Sequence, residues 1–144
     1  MTKMVDIGGK EASSRAAKAK GEIILRPKTI KSIKEGNIKK GDVISTAQTA
    51  AILAVKNTPN LVPLCHPLPI NSVEVTFEIG EKTITCECEV KAHYRTGVEM
   101  ESLVGVSVAL LTVWDMVKYL EKDEKGQYPA TRINNIEVLS KQKG

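Results

Sequence analysis

Two alternating segments with a three-residue link between them constrain this chain more than any other feature. Residues 72–79 put Val73, Val75, Phe77 and Ile79 on one face. Residues 83–90 put Ile84, Cys86, Cys88 and Val90 on one face, with Thr85, Glu87 and Glu89 opposite. A period of two marks half-buried strands, and Gly80-Glu81-Lys82 between them makes a hairpin. One apolar sheet face needs a covering layer. Residues 98–122 offer it: a long helix, nearly apolar all round in its middle, as expected in a core or a subunit interface.

The remaining segments fit around that unit. Residues 22–26 (EIILR) read as a short strand stopped by Pro27, and residues 29–35 as a short helix ended by Gly36. Asp42 is a plausible N-cap for a helix reaching Lys56, which Asn57, Pro59 and Pro63 terminate. The segment LVPLCHPLP, residues 61–69, is a stiff, extended connection, and residues 133–140 read as a last strand. The order β-α-α-β-β-α-β implies an α+β fold, with an antiparallel sheet and helices packed on one face. Residues 1–20, rich in Gly, Ser, Ala and Lys, read as a flexible basic arm, and residues 21–144 as one domain.

Charge is divided along the chain. Residues 1–40 carry eleven Lys/Arg against four Asp/Glu, and residues 41–144 carry ten against thirteen. A basic arm on a mildly acidic body points to an anionic partner. Nucleic acid is disfavoured, because five aromatic residues (Phe77, Tyr94, Trp114, Tyr119, Tyr128) provide few stacking platforms. The same scarcity makes the core aliphatic. Cys65, Cys86 and Cys88 are too few for a disulfide framework, and no apolar leader follows Met1. The most apolar run, residues 103–114, is shorter than the roughly 20 residues that span a bilayer. These features indicate a cytoplasmic protein with no membrane partner.

Several residues could carry chemistry. Lys39 and Lys40 stand just before the helix capped by Asp42, where a phosphate would meet both the helix dipole and lysine charge. An ordinary polar turn explains the same residues. His66, fixed between prolines, suits acid–base work near neutrality, or simply bonds across a loop. Cys65, His66, Cys86, Cys88 and His93 lack zinc-ligand spacing, and Cys86 and Cys88 alternate with apolar neighbours as buried hydrophobes do. No metal site is assigned. Thr96 is placed to cap the long helix, with Glu99 and Glu101 in its first turn. Asp115 follows Glu101 by fourteen residues, which puts the two within about 40° of each other around the axis. Asp115 and Lys118, at i, i+3, can touch; on a mostly buried helix such a pair is expected at an active site or as a structural ion pair.

Taken in order, MVDIGGKEASSRAAKAKGEI, KKGDV, LVPLCHPLPI, RTGVEMESL and ALLTVWDMVK resemble the MoaC-type cyclic pyranopterin monophosphate synthases over nearly the whole chain. The resemblance implies a ferredoxin-like α+β fold and a homohexamer, a trimer of dimers, with active sites at subunit interfaces. It implies conversion of 3′,8-cyclo-7,8-dihydro-GTP to cyclic pyranopterin monophosphate and pyrophosphate, in molybdenum or tungsten cofactor biosynthesis. Residue by residue, Lys40 matches the family's catalytic lysine, Asp115 its active-site aspartate and Lys118 the paired lysine. Leu64, Cys65 and His66 match a substrate-binding segment, with His66 also expected in catalysis; Glu99, Met100 and Glu101 match a second one. Arg15 matches an arginine that reaches the triphosphate. Lys141 matches the C-terminal lysine, although the chain lacks the family's GGKSG-type ending and Lys143 competes for that place. Gln48 stands where many relatives have arginine. No cofactor is required; Mg²⁺ is compatible with the chemistry. A non-catalytic nucleotide- or nucleic-acid-binding oligomer is the competing reading.

Overall fold

The computed structural model describes every residue from Met1 to Gly144. Four strands, β1 (Ser13–Ile24), β2 (Ile70–Ile79), β3 (Thr83–Tyr94) and β4 (Arg132–Lys143), form one antiparallel sheet in the order β2-β3-β1-β4. Helices α1 (Pro27–Glu35), α2 (Val43–Lys56), α3 (Thr58–Leu61) and α4 (Glu99–Glu121) complete the chain. This strand order, with β3 inserted between β1 and β2, is the split βαβ arrangement of ferredoxin-like α+β folds. Helices α2 and α4 pack on each other and on one sheet face.

The largest departure from the sequence reading lies at β1. The strand starts at Ser13 rather than Glu22, so residues 13–20 are not an arm but the first two thirds of the strand between β3 and β4. Alanine, lysine and glycine are poor strand formers, and tertiary pairing overrides that preference. The small residues have a packing role. Ala17, Ala19 and Gly21 face the helices, and a Cβ on Gly21 would lie 2.8 Å from Val106 Cγ1 and 2.9 Å from Ile136 Cγ1. From the other side, a Cβ on Gly105 would lie 2.7 Å from Cys88 Sγ. Helix α4 therefore sits close against the sheet, and Ser102 Oγ donates to the Ala17 carbonyl at 2.9 Å. On the open face, Lys18 lies opposite Glu89 and Lys20 opposite Glu87, so the charge division of the sequence is folded together.

Other expectations fare well. The core is aliphatic: its fully buried cluster contains no aromatic side chain, and Phe77, Trp114 and Tyr119 pack only at its margin. Asp42 caps α2, its Oδ1 accepting from Ser45 N at 2.9 Å. Cys86 and Cys88 are buried without exposure, and burial pushes both thiols up to about 12. Two local details differ. Pro59 lies in the short α3 rather than ending structure there, and Cys65 N closes a turn onto Val62 O, so the proline-rich connection is not extended throughout. Helix α4 is capped at Val98 with no side-chain bond, so Thr96 does not cap it. By length and composition α4 could cross a membrane. On one side of it Val106, Ala109, Leu110, Val113 and Val117 are buried against the sheet and α2.

Candidate active site

The sequence-matched residues gather in two clusters, at opposite ends of α4. The first is at its C-terminal half. Asp115 and Lys118 are one turn apart, and the link between α1 and α2 brings Lys40 to them. Lys40 Nζ lies 2.8 Å from Asp115 Oδ2 and 3.3 Å from the Asp115 carbonyl, while Lys118 Nζ lies 3.0 Å from Oδ1. One carboxylate thus bridges two ammonium groups. The hydrogen bonds from Lys40 and then Lys118 hold the Asp115 carboxyl below the usual carboxylate range, and Asp115 in turn raises Lys118. The pair is exposed, not buried as the apolar helix implied, with about half of each side chain open to water. Lys118 is accordingly more firmly protonated than a free lysine in this chain, the reverse of a desolvated lysine poised near neutrality.

The second cluster surrounds the N-terminus of α4. Glu101 is buried at 3 % exposure, whereas Asp115, on nearly the same side of the helix, is exposed. Burial raises the Glu101 carboxyl, and the neighbouring Glu99 charge adds to this. Cys65 belongs here too, its thiol raised first by burial and then by Glu101 and Glu99. Leu64 and Met100 expose much of their apolar surface beside them. His66 Nε2 lies 2.6 Å from the Val5 carbonyl, so the N-terminal segment crosses over the LCH turn. Lys141 Nζ reaches Glu99 Oε1 at 3.3 Å.

Strand register explains which tail lysine arrives. Lys141 pairs with Ala17 and Lys143 with Arg15, both on the helix side of the sheet, and only Lys141 is level with Glu99. The last strand runs to Lys143, beyond the expected end at residue 140, so the backbone of these lysines is fixed in a ladder while their side chains stay exposed. Arg15 is 7 % exposed; its Nε donates to the Tyr94 carbonyl at 3.4 Å and its Nη2 is buried without a partner. Glu99 Oε2 is a second buried atom without a partner. Gln48 is spoken for: its Nε2 donates to the Val75 carbonyl at 3.2 Å, tying α2 to β2.

Gly97 is a site residue that the sequence reading passed over. A Cβ there would stand 2.5 Å from Glu99 Oε2, 2.9 Å from Lys141 Cε and 3.2 Å from its Nζ. These are the ends of flexible side chains, so Gly97→Ala should fold normally while pushing the Glu99–Lys141 pair apart. Steady-state kinetics should show a KM raised several-fold, with Tm unchanged within a degree or so.

The buried Glu101 carboxyl carries a pH signature. A carboxyl raised on folding favours the folded state below its unfolded value, near 4.5, and loses that contribution as pH rises through the folded value. Glu101→Gln should therefore raise Tm at neutral pH by a few degrees. It should also flatten the decline of stability on the alkaline side of pH 4.5, which melts across pH 4 to 8 would measure. Asp115 has the opposite sign: its contribution is present above its unfolded value, near 3.8, and is lost on acidification through the lower folded value.

The distance between clusters matters. Fourteen helical residues separate Glu101 from Asp115, about 21 Å along the axis. The two largest cavities lie away from the Lys40–Asp115–Lys118 group. One of about 640 Å³ opens at the end of the sheet beside Arg15, Lys91, His93 and Lys143. Another of about 670 Å³ lies on the outer face of α2 and α4, beside Leu53, Leu61 and Val108. None of the five main cavities contains both clusters.

Comparison with known proteins covers the whole of this arrangement. The model of the MoaC family matches residues 4–144. A "Probable cyclic pyranopterin monophosphate synthase" of Pyrococcus horikoshii is 62% identical over 141 residues, 98% of this chain and 89% of the relative. The protein so named in Thermococcus kodakarensis is 61% identical over 142 residues, 99% of this chain and 91% of its own. A Methanothermobacter thermautotrophicus relative, 54% identical over 141 residues (98% and 89% of the two chains), is named a "Probable cyclic pyranopterin monophosphate synthase accessory protein".

Proposed function

The chain belongs to the MoaC family, and from that premise we propose how its two clusters perform the cyclic pyranopterin monophosphate synthase reaction. The protein is a lyase of molybdenum-cofactor biosynthesis, acting on a nucleotide-derived small molecule. The substrate we assign is 3′,8-cyclo-7,8-dihydro-GTP, and the products are cyclic pyranopterin monophosphate and pyrophosphate. The observation that carries the assignment is the Asp115 carboxylate held between Lys40 and Lys118, which come from separate segments of the matched span.

Two kinds of step are required. Rebuilding the guanine-derived ring as a pterin needs protons delivered and removed. Lys40 and Lys118 are the donors, and Asp115 keeps both oriented and takes part in the return of a proton. In the free chain the Asp115 carboxylate offsets one of the two ammonium charges and leaves the group with one net positive charge. Substrate seated over them excludes water, and desolvation drives ammonium and carboxylate toward their neutral forms, the direction proton transfer needs. Closing the cyclic phosphate needs a sugar hydroxyl to attack the α-phosphorus, forming one P–O bond as the bond to pyrophosphate breaks, with the hydroxyl proton passing to the departing pyrophosphate. Arg15, Lys141 and His66 meet the charge on the departing pyrophosphate. The unpartnered Arg15 Nη2 is suited to this. No resident cofactor enters these steps, and Mg²⁺ carried on the triphosphate would act as part of the substrate.

A site drawing on both clusters needs two copies. At about 21 Å apart on one helix, they cannot flank one ring system within a chain. Exposed Leu53, Leu61 and Leu111 on the outer helix faces give a second copy apolar surface to cover. We assign a homohexamer built as a trimer of dimers, in the cytoplasm, with one copy's Lys40 group facing the other's His66 and Glu101. The reaction itself is tested by ³¹P NMR of the purified protein with freshly made substrate. Equal amounts of a cyclic phosphodiester and pyrophosphate are expected; triphosphate that persists over many enzyme equivalents contradicts the assignment.

A further inference from the structure

Lys40 sits on a link, residues 36–42, that little holds in place. Gly36 and Gly41 stand near its ends in the left-handed region, at φ 73° and 112°. Its internal bonds are local: Asn37 N donates to Ser32 O at 2.9 Å and Gly41 N to Ile38 O at 3.0 Å. Ile38 anchors it in the core. Such bonds shape the link but do not aim it at α4.

One residue does. Tyr119, one turn beyond Asp115 on α4, accepts from the Lys39 backbone N–H at 3.0 Å through its hydroxyl oxygen. Its ring also lies under the Lys39 ammonium, 4.9 Å from Nζ to the centroid. Apart from Lys40 Nζ itself, this is the link's hydrogen bond to α4. Because the bonded amide belongs to Lys39, the residue before Lys40, the phenol sets the origin from which the Lys40 side chain reaches Asp115.

We propose that Tyr119 is a positioning residue for Lys40, registering the link 36–42 against α4 through the Lys39 amide. This rests on Lys40 serving the synthase reaction as assigned above. The test is Tyr119→Phe, which keeps the ring and its contact with the Lys39 ammonium and removes only the hydrogen-bond acceptor. Amide exchange at Lys39 should quicken by about tenfold while Gly41, bonded within the link, stays as in wild type. Turnover should fall about two- to tenfold with KM and Tm unchanged, because the lost bond orients a reacting group rather than holding substrate or fold. Unchanged exchange at Lys39 in Tyr119→Phe overturns the proposal, as does unchanged kcat in an active enzyme. So does a kcat loss accompanied by an equivalent fall in Tm, which would make Tyr119 a packing residue. Failure of the synthase assignment is separately visible, as absence of turnover in wild type, and amide exchange still decides whether Tyr119 holds the link.

Discussion

Asp115→Asn should lower turnover by about 10²- to 10⁴-fold, the range of a lost proton-transfer group, and leave Tm almost unchanged. Both expectations follow from the same geometry. The carboxylate accepts from Lys40 at 2.8 Å and Lys118 at 3.0 Å, so removing its charge leaves two ammonium groups facing one another without a counter-ion. They repel and swing apart, and the two lysines lose their orientation. All three side chains are well exposed, so water solvates the freed charges and the fold loses little. Lys40→Ala should share the loss of turnover and the normal Tm. Steady-state kinetics with thermal melts of the same samples separate these outcomes from simple unfolding.

Glu121→Ala should do the reverse and threaten the fold. Glu121 is fully buried, with no cation beside it; its carboxylate accepts from Arg26 N at 3.1 Å and Thr131 Oγ1 at 2.7 Å, and from Thr29 Oγ1. It thereby ties the end of α4 to the start of α1 and of β4. Truncation strands these donors in the interior, at about 1–3 kcal/mol each, so about 3 kcal/mol or more should be lost. Against a total of roughly 5–15 kcal/mol, that is a large share. Glu121→Gln, which keeps one acceptor but brings a donor to face donors, should fall between alanine and wild type. Chemical denaturation of the three proteins, read at constant slope, checks the order.

The contrast between these carboxylates shows what was legible in the sequence. Asp115 stands out as a charge interrupting an apolar helix, and its partner Lys118 is one turn away, so local spacing finds both. Glu121 sits in the run YLEKDEK, which resembles a solvated helix end. Two of the groups that make it a buried staple lie 95 and 92 positions away, and the third, Thr131, lies ten residues on beyond a charged loop, so no helical spacing marks it. The hairpin of β2 and β3 was plain because its alternation pairs apolar with polar residues. The first two thirds of β1 were not, because alanine, lysine and glycine there serve the close approach of α4 rather than strand propensity. Tyr119 and Gly97 escaped for a similar reason. Each acts on a residue from another segment, one through a hydroxyl and the other through the space it leaves.

A substrate held between the clusters of two copies can be tested by mixing inactive variants. Asp115→Asn and His66→Ala chains, each carrying a different tag, would be co-expressed and the mixed oligomers purified on both tags. If each site takes its Asp115 from one copy and its His66 from another, random mixing restores about a quarter of wild-type turnover. If the mixed oligomers remain as inactive as the parent variants, both clusters must serve from one chain and the shared site is wrong.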